Sequence, residues 1–304
     1  MARRGNKGRN VHGIILLNKA TGLSSNRALQ QVKRLFNANK AGHTGSLDPL
    51  ATGVLPLCLG EATKVSQFLL DSDKKYRATI KLGVRTDSAD SQGNVIETCE
   101  NFAVNKAEVL AAMNKYKGEI EQIPPMHSAL KVDGVPLYKR AHKGEVIERQ
   151  ARKVTIHSIE LTAFSETEIV IEIACSKGTY IRTIADDLGQ DLGCGAHIIA
   201  LHRLQAGAFT EDQCYSLEAL ENINTEGGFD AIDDLLFPMD SAVDALPAVV
   251  LPSITADFVK QGQAVLVSHL PKDGLVRLYE NELFIGIGCI DDDGMVAPKR
   301  LVVY

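Results

Sequence analysis

A single acidic residue, Asp48, lies in a short segment that is rich in glycine. It is the only Asp or Glu between Gly22 and Gly60, and it directly precedes Pro49. Glycines at positions 42, 45 and 53 let a backbone or a ligand approach such a segment closely. A carboxylate in this setting can act as a nucleophile or as a general base. An Asp before proline is also the pattern of an ordinary turn, and the spacing alone favours the turn.

Sequence signatures of bound cofactors and metals are absent. The chain has no phosphate-binding loop of the Gly-x4-Gly-Lys-Ser/Thr type, and Gly286-Ile-Gly288 falls in a predicted strand. His197 and His202 lack the spacing of a helical zinc motif. We therefore expect no cofactor and no metal, so that any reaction depends on side chains and on the substrate itself.

The cysteines and the apolar segments indicate the compartment. The six cysteines are scattered and form no Cys-x-x-Cys pair, which favours buried thiols in a reducing environment. The polar, basic residues 1–10 are followed by no apolar stretch of signal-peptide length, and no apolar run approaches the ~20 residues of a membrane span. The sequence predicts a cytoplasmic protein that does not enter a membrane.

The net charge of −5 is unevenly distributed along the chain. No Lys or Arg occurs between Arg203 and Lys260, and this interval holds 11 acidic residues. Each basic cluster by itself is typical of a solvated surface, but several clusters near one site would attract a polyanion. The basic residues concentrate in three places: Arg3, Arg4, Lys7 and Arg9; Lys74, Lys75 and Arg77; and residues 131–153, with seven Lys or Arg against three acids.

The elements that must position Asp48 mix strands and helices without a regular order. Periodicity predicts strands at 11–17, 76–84 and 169–175. It predicts a first helix with Ser25 as its N-cap. A second helix begins at Asn105 with a capping box and stops at Gly118, and a third begins near Ile181. Residues 124–153, which we call the basic loop, have weak periodicity, and this pattern predicts a loop or hairpin. The mixture predicts an α+β fold, with a mixed, largely antiparallel sheet and flanking helices.

The end of the chain predicts a second, smaller domain. An acidic stretch to about Asp244, followed by Pro247 and Pro252, marks a boundary. Short strands are predicted at 264–267, 275–280, 283–290 and 295–304, separated by turn sequences. We expect a first domain of residues 1–247 and a small C-terminal β-barrel of residues 248–304.

Several motifs, in order along the chain, resemble those of the tRNA pseudouridine-55 synthase family. The resemblance extends from about Gly13 to Leu204, and the C-terminal segment fits a PUA-like RNA-binding domain of the same family. Two departures are Ala20, where the family has proline after the lysine at position 19, and His142, where it has arginine. The matching segments are Gly42-His-Thr-Gly-Ser-Leu-Asp-Pro-Leu-Ala-Thr-Gly53, Leu59-Gly-Glu-Ala-Thr-Lys64, Asp73-Lys-Lys-Tyr76, Gln122-Ile-Pro-Pro, Ser128-Ala-Leu-Lys131, Cys175-Ser-Lys-Gly-Thr-Tyr-Ile-Arg182, Asp186-Asp-Leu-Gly and Leu201-His-Arg-Leu204.

The resemblance implies an isomerase that converts a flipped-out uridine of a tRNA loop into pseudouridine. Asp48 is then the catalytic carboxylate, and Arg182 pairs with it and favours its ionised form. Tyr76 stacks on the uracil. Taken without the family, Tyr76 is a core residue and Arg182 forms a surface ion pair with Asp186, four residues on in the same helix.

The remaining implied contacts concern the RNA. His43 enters the loop where the base has left the stack, and Leu201 and Tyr180 line the uracil pocket. Lys64 and the basic loop contact phosphates without reading the sequence. Taken alone, His43 is a hydrogen-bonded loop residue, and Leu201 and Tyr180 are ordinary core.

The partner and two alternative functions complete these expectations. The partner is the T-stem loop or elbow of tRNA, with no obligatory protein partner, and we expect a monomer. One alternative is a tRNA-binding chaperone that remodels the elbow without chemistry. The other is a glycoside hydrolase with paired carboxylates, which is disfavoured because no second acid lies near Asp48 in the sequence.

Overall fold

The computed structural model describes residues 8–141 and 143–304. Arg3, Arg4 and Lys7 of the first basic cluster, and the departure at His142, lie outside the described residues. No helix in the described ranges is long and apolar enough to cross a membrane. The strands are β1 (Gly13–Lys19), β2 (Ala41–His43), β3 (Thr52–Leu59), β4 (Lys74–Leu82), β5 (Val84–Thr86), β6 (Val95–Thr98), β7 (Gly118–Gln122), β8 (Lys131–Val132), β9 (Val135–Pro136), β10 (Arg152–Phe164), β11 (Glu168–Cys175), β12 (Ala196–Ala206), β13 (Phe209–Thr210), β14 (Ala248–Leu251), β15 (Gly274–Glu280), β16 (Leu283–Ile290) and β17 (Val296–Leu301).

The helices alternate irregularly with these strands, and with the mixed sheet they confirm the α+β class. Short 3-10 helices occur at Gly60–Lys64, Glu211–Gln213 and Met239–Val243. The α-helices are α1 (Ser25–Leu35), α2 (Ser66–Leu70), α3 (Lys106–Asn114), α4 (Leu137–Ala141), α5 (Ile181–Asp191), α6 (Leu217–Asp233) and α7 (Ser253–Lys260).

Contacts divide the chain into two compact units. The terminal unit comprises the described residues of Met1–Asp48, with Val54–Asp71 and Ala208–Tyr304. The central unit comprises Pro49–Gly53 and Ser72–Gly207. Strand β3 therefore begins in the central unit and continues in the terminal unit.

The central unit is built on a mixed sheet in which β12, β4, β11, β10 and β7 follow one another as antiparallel neighbours. Thr52 and Gly53 of β3 pair with β12 in the parallel direction. The predicted alternation of β4 is confirmed, because Ala78, Ile80 and Leu82 are buried. Strand β4 ends there because Gly83 takes a φ of +85°, which disfavours any residue but glycine.

Strand β12 has no counterpart among the sequence-based predictions. It lies between β3 and β4 and pairs with β4 from Ala196 to Ala206. Register shifts at Ile198/Ala200 and at Arg203/Gln205 interrupt its alternation. Bulges of this kind break the two-residue period that reveals a strand in a sequence.

The two helices predicted in this unit are confirmed. Helix α3 begins with the capping box of Asn105 and Glu108 and ends at Asn114, whereas Gly118 starts β7. Helix α5 buries its predicted apolar face, at Ile181, Ile184, Ala185 and Leu188.

In the terminal unit, β1 neighbours β3, and the first helix begins one residue away from its expected cap. Residues 14–17 of β1 are buried. The N-cap of α1 is Ser24, whose side chain accepts a hydrogen bond from the backbone N–H of Arg27, and not the expected Ser25. Ser25 is buried and has a different role, described below.

The C-terminal segment of this unit contains a separate four-stranded sheet in the order β14-β15-β16-β17. The strands at 275–280, 283–290 and 295–304 are confirmed with small shifts, whereas β14 and α7 were missed. The strand expected at 264–267 is wrong, because only Val265 forms an isolated bridge, with Val296. Without that strand the described residues form an open sheet rather than the closed barrel that the sequence suggested.

Candidate active site

Asp48 lies in an irregular loop, residues 44–51, between β2 and β3. We call this segment the Asp48 loop. The side chain of Ser25 accepts a hydrogen bond from the N–H of Leu47 at 2.7 Å and lies 3.1 Å from the carbonyl oxygen of the same residue. At the start of the loop, the N–H and the hydroxyl of Thr44 both donate to the carbonyl of Pro56, each at 3.2 Å. Asp48 itself is only partly buried. Hydrogen bonds to backbone groups therefore hold the loop, while the residue stays accessible.

The end of the glycine-rich motif belongs to the central unit and is fixed against β12. The hydroxyl of Thr52 lies 2.7 Å from Nδ1 of His202. Gly53 has a φ of +100°, and a Cβ at this position would lie 2.3 Å from the carbonyl oxygen of Arg203. No side chain fits there, which explains why this motif ends in glycine.

Tyr76 and Leu201 lie on the same face of the central sheet. Tyr76 is directly opposite Arg203, and Ala78 is opposite Leu201. Because side chains two residues apart share a face, Tyr76 and Leu201 are diagonal neighbours. Tyr76 is partly buried and Leu201 is 6% exposed, so the tyrosine ring remains partly accessible beside an apolar wall.

Arg203 shares this face and was not predicted as a site residue. It is 1% exposed and lies directly opposite Tyr76. Its side chain therefore lies on the same face of the sheet as Tyr76 and is almost entirely shielded from solvent. The motif Leu201-His-Arg-Leu204 contained this residue. Because strand β12 was not predicted from the sequence, nothing indicated that Arg203 would be buried.

Arg182 is a buried residue of α5 and does not form the surface ion pair that its spacing allowed. It is 4% exposed, and its guanidinium lies 3.4 Å from Oδ2 of Asp90. It also donates to the carbonyls of Ser88 at 3.1 Å and His127 at 2.8 Å. Its alternative partner Asp186 instead accepts two hydrogen bonds from Arg85, at 2.8 and 3.1 Å.

Asp90 is the buried acid beside Arg182, and the sequence analysis did not identify it. It is 4% exposed, and its Oδ1 accepts hydrogen bonds from the hydroxyl of Ser88 at 2.7 Å and the N–H of Gln92 at 3.0 Å. Oδ1 is thereby occupied while Oδ2 faces Arg182. Short polar runs such as Thr86-Asp-Ser-Ala-Asp90 are typical of turns, and nothing in their spacing indicates contact with a helix more than ninety residues later.

Tyr180 and His43, which the resemblance assigned to the uracil pocket and to the RNA contact, lie in different surroundings. Tyr180 is the N-cap of α5, and its backbone N–H and carbonyl bond to the side chain of Gln122 at 2.7 and 3.0 Å. Its ring is partly buried, as is His43, the last residue of β2, which pairs with Leu57. Tyr180 is thus fixed through its backbone and His43 through its strand register.

Lys64 has partners within the terminal unit. It forms an ion pair with Glu61 and donates to the carbonyl of Leu301 at 2.8 Å. Burial acts to raise the pKa of Glu61, but hydrogen bonds from Lys64 and from the N–H of Val303, with the charges of Lys64 and Lys40, outweigh it and lower the pKa. Lys64 and Glu61 therefore hold the end of the chain against the 3-10 helix Gly60–Lys64.

The predicted basic clusters do not form uniform surfaces. Strand alternation separates Lys74, which is 8% exposed, from Lys75 and Arg77, which both pair with Glu172 at 2.7 Å. The hydrogen bonds from Lys75 and Arg77 lower the pKa of Glu172. Within the basic loop, β8 and β9 form a small hairpin that is followed by α4, in agreement with the loop-or-hairpin prediction.

Among the residues that the structure describes, no three His, Cys, Asp or Glu side chains are grouped so that they could hold a metal ion. In the central unit, the partly buried Tyr76 shares a face with the buried Leu201, and the side chains of Arg182 and Arg203 are buried. Asp48 is partly buried and belongs to the terminal unit.

Models of known families match nearly the whole chain. Residues 33–181 match the TruB family pseudouridylate synthase (N-terminal domain). Residues 182–244 match the tRNA pseudouridylate synthase B C-terminal domain, and residues 247–302 match Pseudouridine synthase II TruB, C-terminal.

Proteins named tRNA pseudouridine synthase B are similar over their full lengths. One from Tolumonas auensis is 55% identical, covering 99% of this chain and 95% of the relative. One from Vibrio cholerae is 54% identical, covering 100% of this chain and 99% of the relative. One from Serratia proteamaculans is 50% identical with the same coverage.

Solved structures agree in fold. A Cbf5–Nop10–Gar1 complex contains a chain that is 28% identical, with a TM-score of 0.70, covering 91% of this chain and 78% of that one. An H/ACA RNP bound to a substrate RNA containing 2'-deoxyuridine matches with 23% identity and a TM-score of 0.75, covering 100% and 92%. The motifs around Asp48, the family models and the full-length identities agree: this chain belongs to the TruB family of pseudouridine synthases.

Proposed function

We propose that the protein isomerises uridine to pseudouridine at position 55, in the T loop of tRNA, with Asp48 as the catalytic carboxylate. The observation that carries the proposal is the partly buried Asp48 on a loop whose backbone, in the residues before Asp48, is held by Ser25 and Thr44. The full-length identity to proteins named tRNA pseudouridine synthase B supports the substrate.

The reaction is balanced without any further reactant. The bond between N1 of uracil and C1' of ribose breaks, the base turns, and a bond forms between C5 and C1'. The proton lost from C5 is balanced by the proton gained at N1. Side chains suffice for this chemistry because it needs a carboxylate for the glycosidic bond and groups that hold the freed base.

A uridine stacked in a folded loop has to be extruded before Asp48 can act, at roughly a few kcal/mol. Tyr76 supplies a face for stacking and Leu201 an apolar wall, on one side of the central sheet. His43 fills the space that the base vacates. Tyr180 completes the pocket, and Arg182 supplies a guanidinium that is held by oxygen atoms of Ser88, Asp90 and His127.

The RNA outside the T loop is held by positive charge. Lys64 and the basic loop contact phosphates, which orient the RNA without reading its sequence. The C-terminal segment, residues 248–304, forms a PUA-like RNA-binding domain beside a catalytic domain of residues 1–247, an assignment supported by its match to a TruB C-terminal model. The protein acts as a monomer in the cytoplasm, where its tRNA substrate occurs.

The decisive experiment replaces Asp48 with Asn and maps pseudouridine in a tRNA transcript after incubation with the purified protein. The variant should form no pseudouridine and still bind tRNA. Pseudouridine at position 55 in the Asp48→Asn reaction would refute the catalytic assignment. If the wild-type protein bound tRNA without modifying it, the chaperone alternative would replace the enzyme.

The hydrolase alternative requires a second functional acid, and Asp90 is the acid to consider. Its Oδ1 is engaged by Ser88 and Gln92, its Oδ2 faces Arg182, and it is buried. With both oxygens engaged and the residue buried, Asp90 is suited to positioning Arg182 and not to contact with a substrate. Release of free uracil from tRNA would support the hydrolase.

A further inference from the structure

Ser25 makes an unusual pair of contacts with the residue before Asp48. Ser25 is 3% exposed. Its hydroxyl oxygen accepts from the N–H of Leu47 at 2.7 Å, and the hydroxyl donates to the carbonyl of Leu47 at 3.1 Å. One side chain therefore satisfies both backbone groups of a loop residue, as a neighbouring strand would do.

Capping of α1 does not account for Ser25. The N-cap is the adjacent Ser24, which is exposed and accepts from the N–H of Arg27 at 3.2 Å. The hydroxyl of Ser25 is directed at the Asp48 loop instead. Two neighbouring serines thus divide two roles, one local to the helix and one between the helix and the loop.

The helix that carries Ser25 is itself firmly held. Leu29 and Val32 of α1 are buried. The turn before the helix is fixed by Lys19, which is fully buried and donates to the carbonyls of Ala20 at 2.9 Å and Leu23 at 2.7 Å. Ser25 therefore transfers the rigidity of α1 to the peptide that leads into Asp48.

We propose that Ser25 is a positioning residue for the catalytic carboxylate. The inference rests on the proposed function of Asp48 and adds the group that holds it in place. The Asp48 loop has irregular backbone, so rotation of the peptide between Leu47 and Asp48 would move the carboxylate. A displacement of about 1 Å at a reacting group can slow a reaction roughly 100-fold.

The test compares Ser25→Ala with the matched control Ser24→Ala. Ser25→Ala should lower kcat, and the single-turnover rate on a tRNA transcript, about 10- to 100-fold, while KM and the Kd for tRNA stay unchanged. Ser24→Ala removes a helix cap and should lower the melting temperature but leave kcat within about twofold. Equal rates for the two variants, or a Ser25→Ala effect confined to KM, would overturn the proposal.

Two further variants separate the possible outcomes. Ser25→Cys nearly keeps the buried volume but is a weaker hydrogen-bonding group, so its kcat should fall between those of the wild type and Ser25→Ala. If Ser25→Ala does not fold, an unchanged kcat in Ser25→Cys would overturn the role of Ser25. Isomerisation retained by Asp48→Asn would refute the proposed function itself, whereas loss in Asp48→Asn with an unchanged rate in Ser25→Ala would refute only the positioning role.

Discussion

Two ion pairs of this protein each join one basic and one acidic side chain, but they differ in how far they are exposed to solvent. Arg182 and Asp90 in the central unit have side chains that are 5% and 6% exposed, whereas Lys64 and Glu61 in the terminal unit are 31% and 18% exposed. Removal of one partner from a buried pair leaves a charge without compensation, whereas water and salt replace a partner at the surface. The buried pair is therefore suited to fixing geometry, and the exposed pair can exchange one anion for another.

The largest effect is expected when the buried pair loses its arginine. Arg182→Met should lower the free energy of unfolding by about 3–5 kcal/mol, because it leaves Asp90 buried beside an apolar side chain. Urea denaturation measures this loss, and the variant should also form no pseudouridine.

The matched control for Arg182→Met adds Asp90→Asn, which removes the stranded charge. The double variant should recover a substantial part of the lost stability, since two neutral groups need less solvation than one buried ion. A loss below about 1 kcal/mol in the single variant would place Arg182 with the exposed pairs.

A smaller effect is expected at the exposed pair, and it concerns RNA binding more than stability. Lys64→Ala should weaken tRNA binding and reduce the slope of log K against log salt by about one unit, since one phosphate contact is lost. The free energy of unfolding should change by at most about 1 kcal/mol. Binding measured between low and moderate salt checks both the affinity and the slope.

Glu61→Gln is the control for Lys64→Ala. It removes the internal anion but keeps the lysine, so tRNA affinity should be equal to or higher than that of the wild type. An unchanged salt slope in Lys64→Ala would show that this lysine serves only to hold the end of the chain.

The sequence predicted the local elements better than the contacts between distant ones. The alternation of β4 and the capping box of α3 depend on neighbouring residues, and both were visible in the chain. Strand β12 was missed because its bulges break the period. Asp90 was missed because its partner Arg182 is distant in sequence, and Ser25 was assigned to the cap that Ser24 forms because adjacent serines have the same pattern.

The Asp48 motif was recognised through its resemblance to a family and not through physical reasoning. Spacing alone favoured a turn for Asp48. The structure supplies the physical reason for one motif position, since a Cβ at Gly53 would collide with the backbone of Arg203. Such a close approach between strands can be seen only after they have been paired.

The smallest expected effect is the pH dependence of the exposed pair. The pKa of Glu61 is lowered in the folded protein from its ordinary value of 4.5. Its contribution to stability is therefore fully present above the unfolded pKa and is lost as the pH falls through the lower, folded pKa. The melting temperatures of the wild type and Glu61→Gln should differ most at pH 6 to 7 and converge as the pH falls below 4.5 and through the lower, folded pKa. A difference that persists or grows in acid would mean that the ionised carboxylate of Glu61 does not stabilise the contacts with Lys64 and Val303, so that this pair would contribute nothing to stability through its charge.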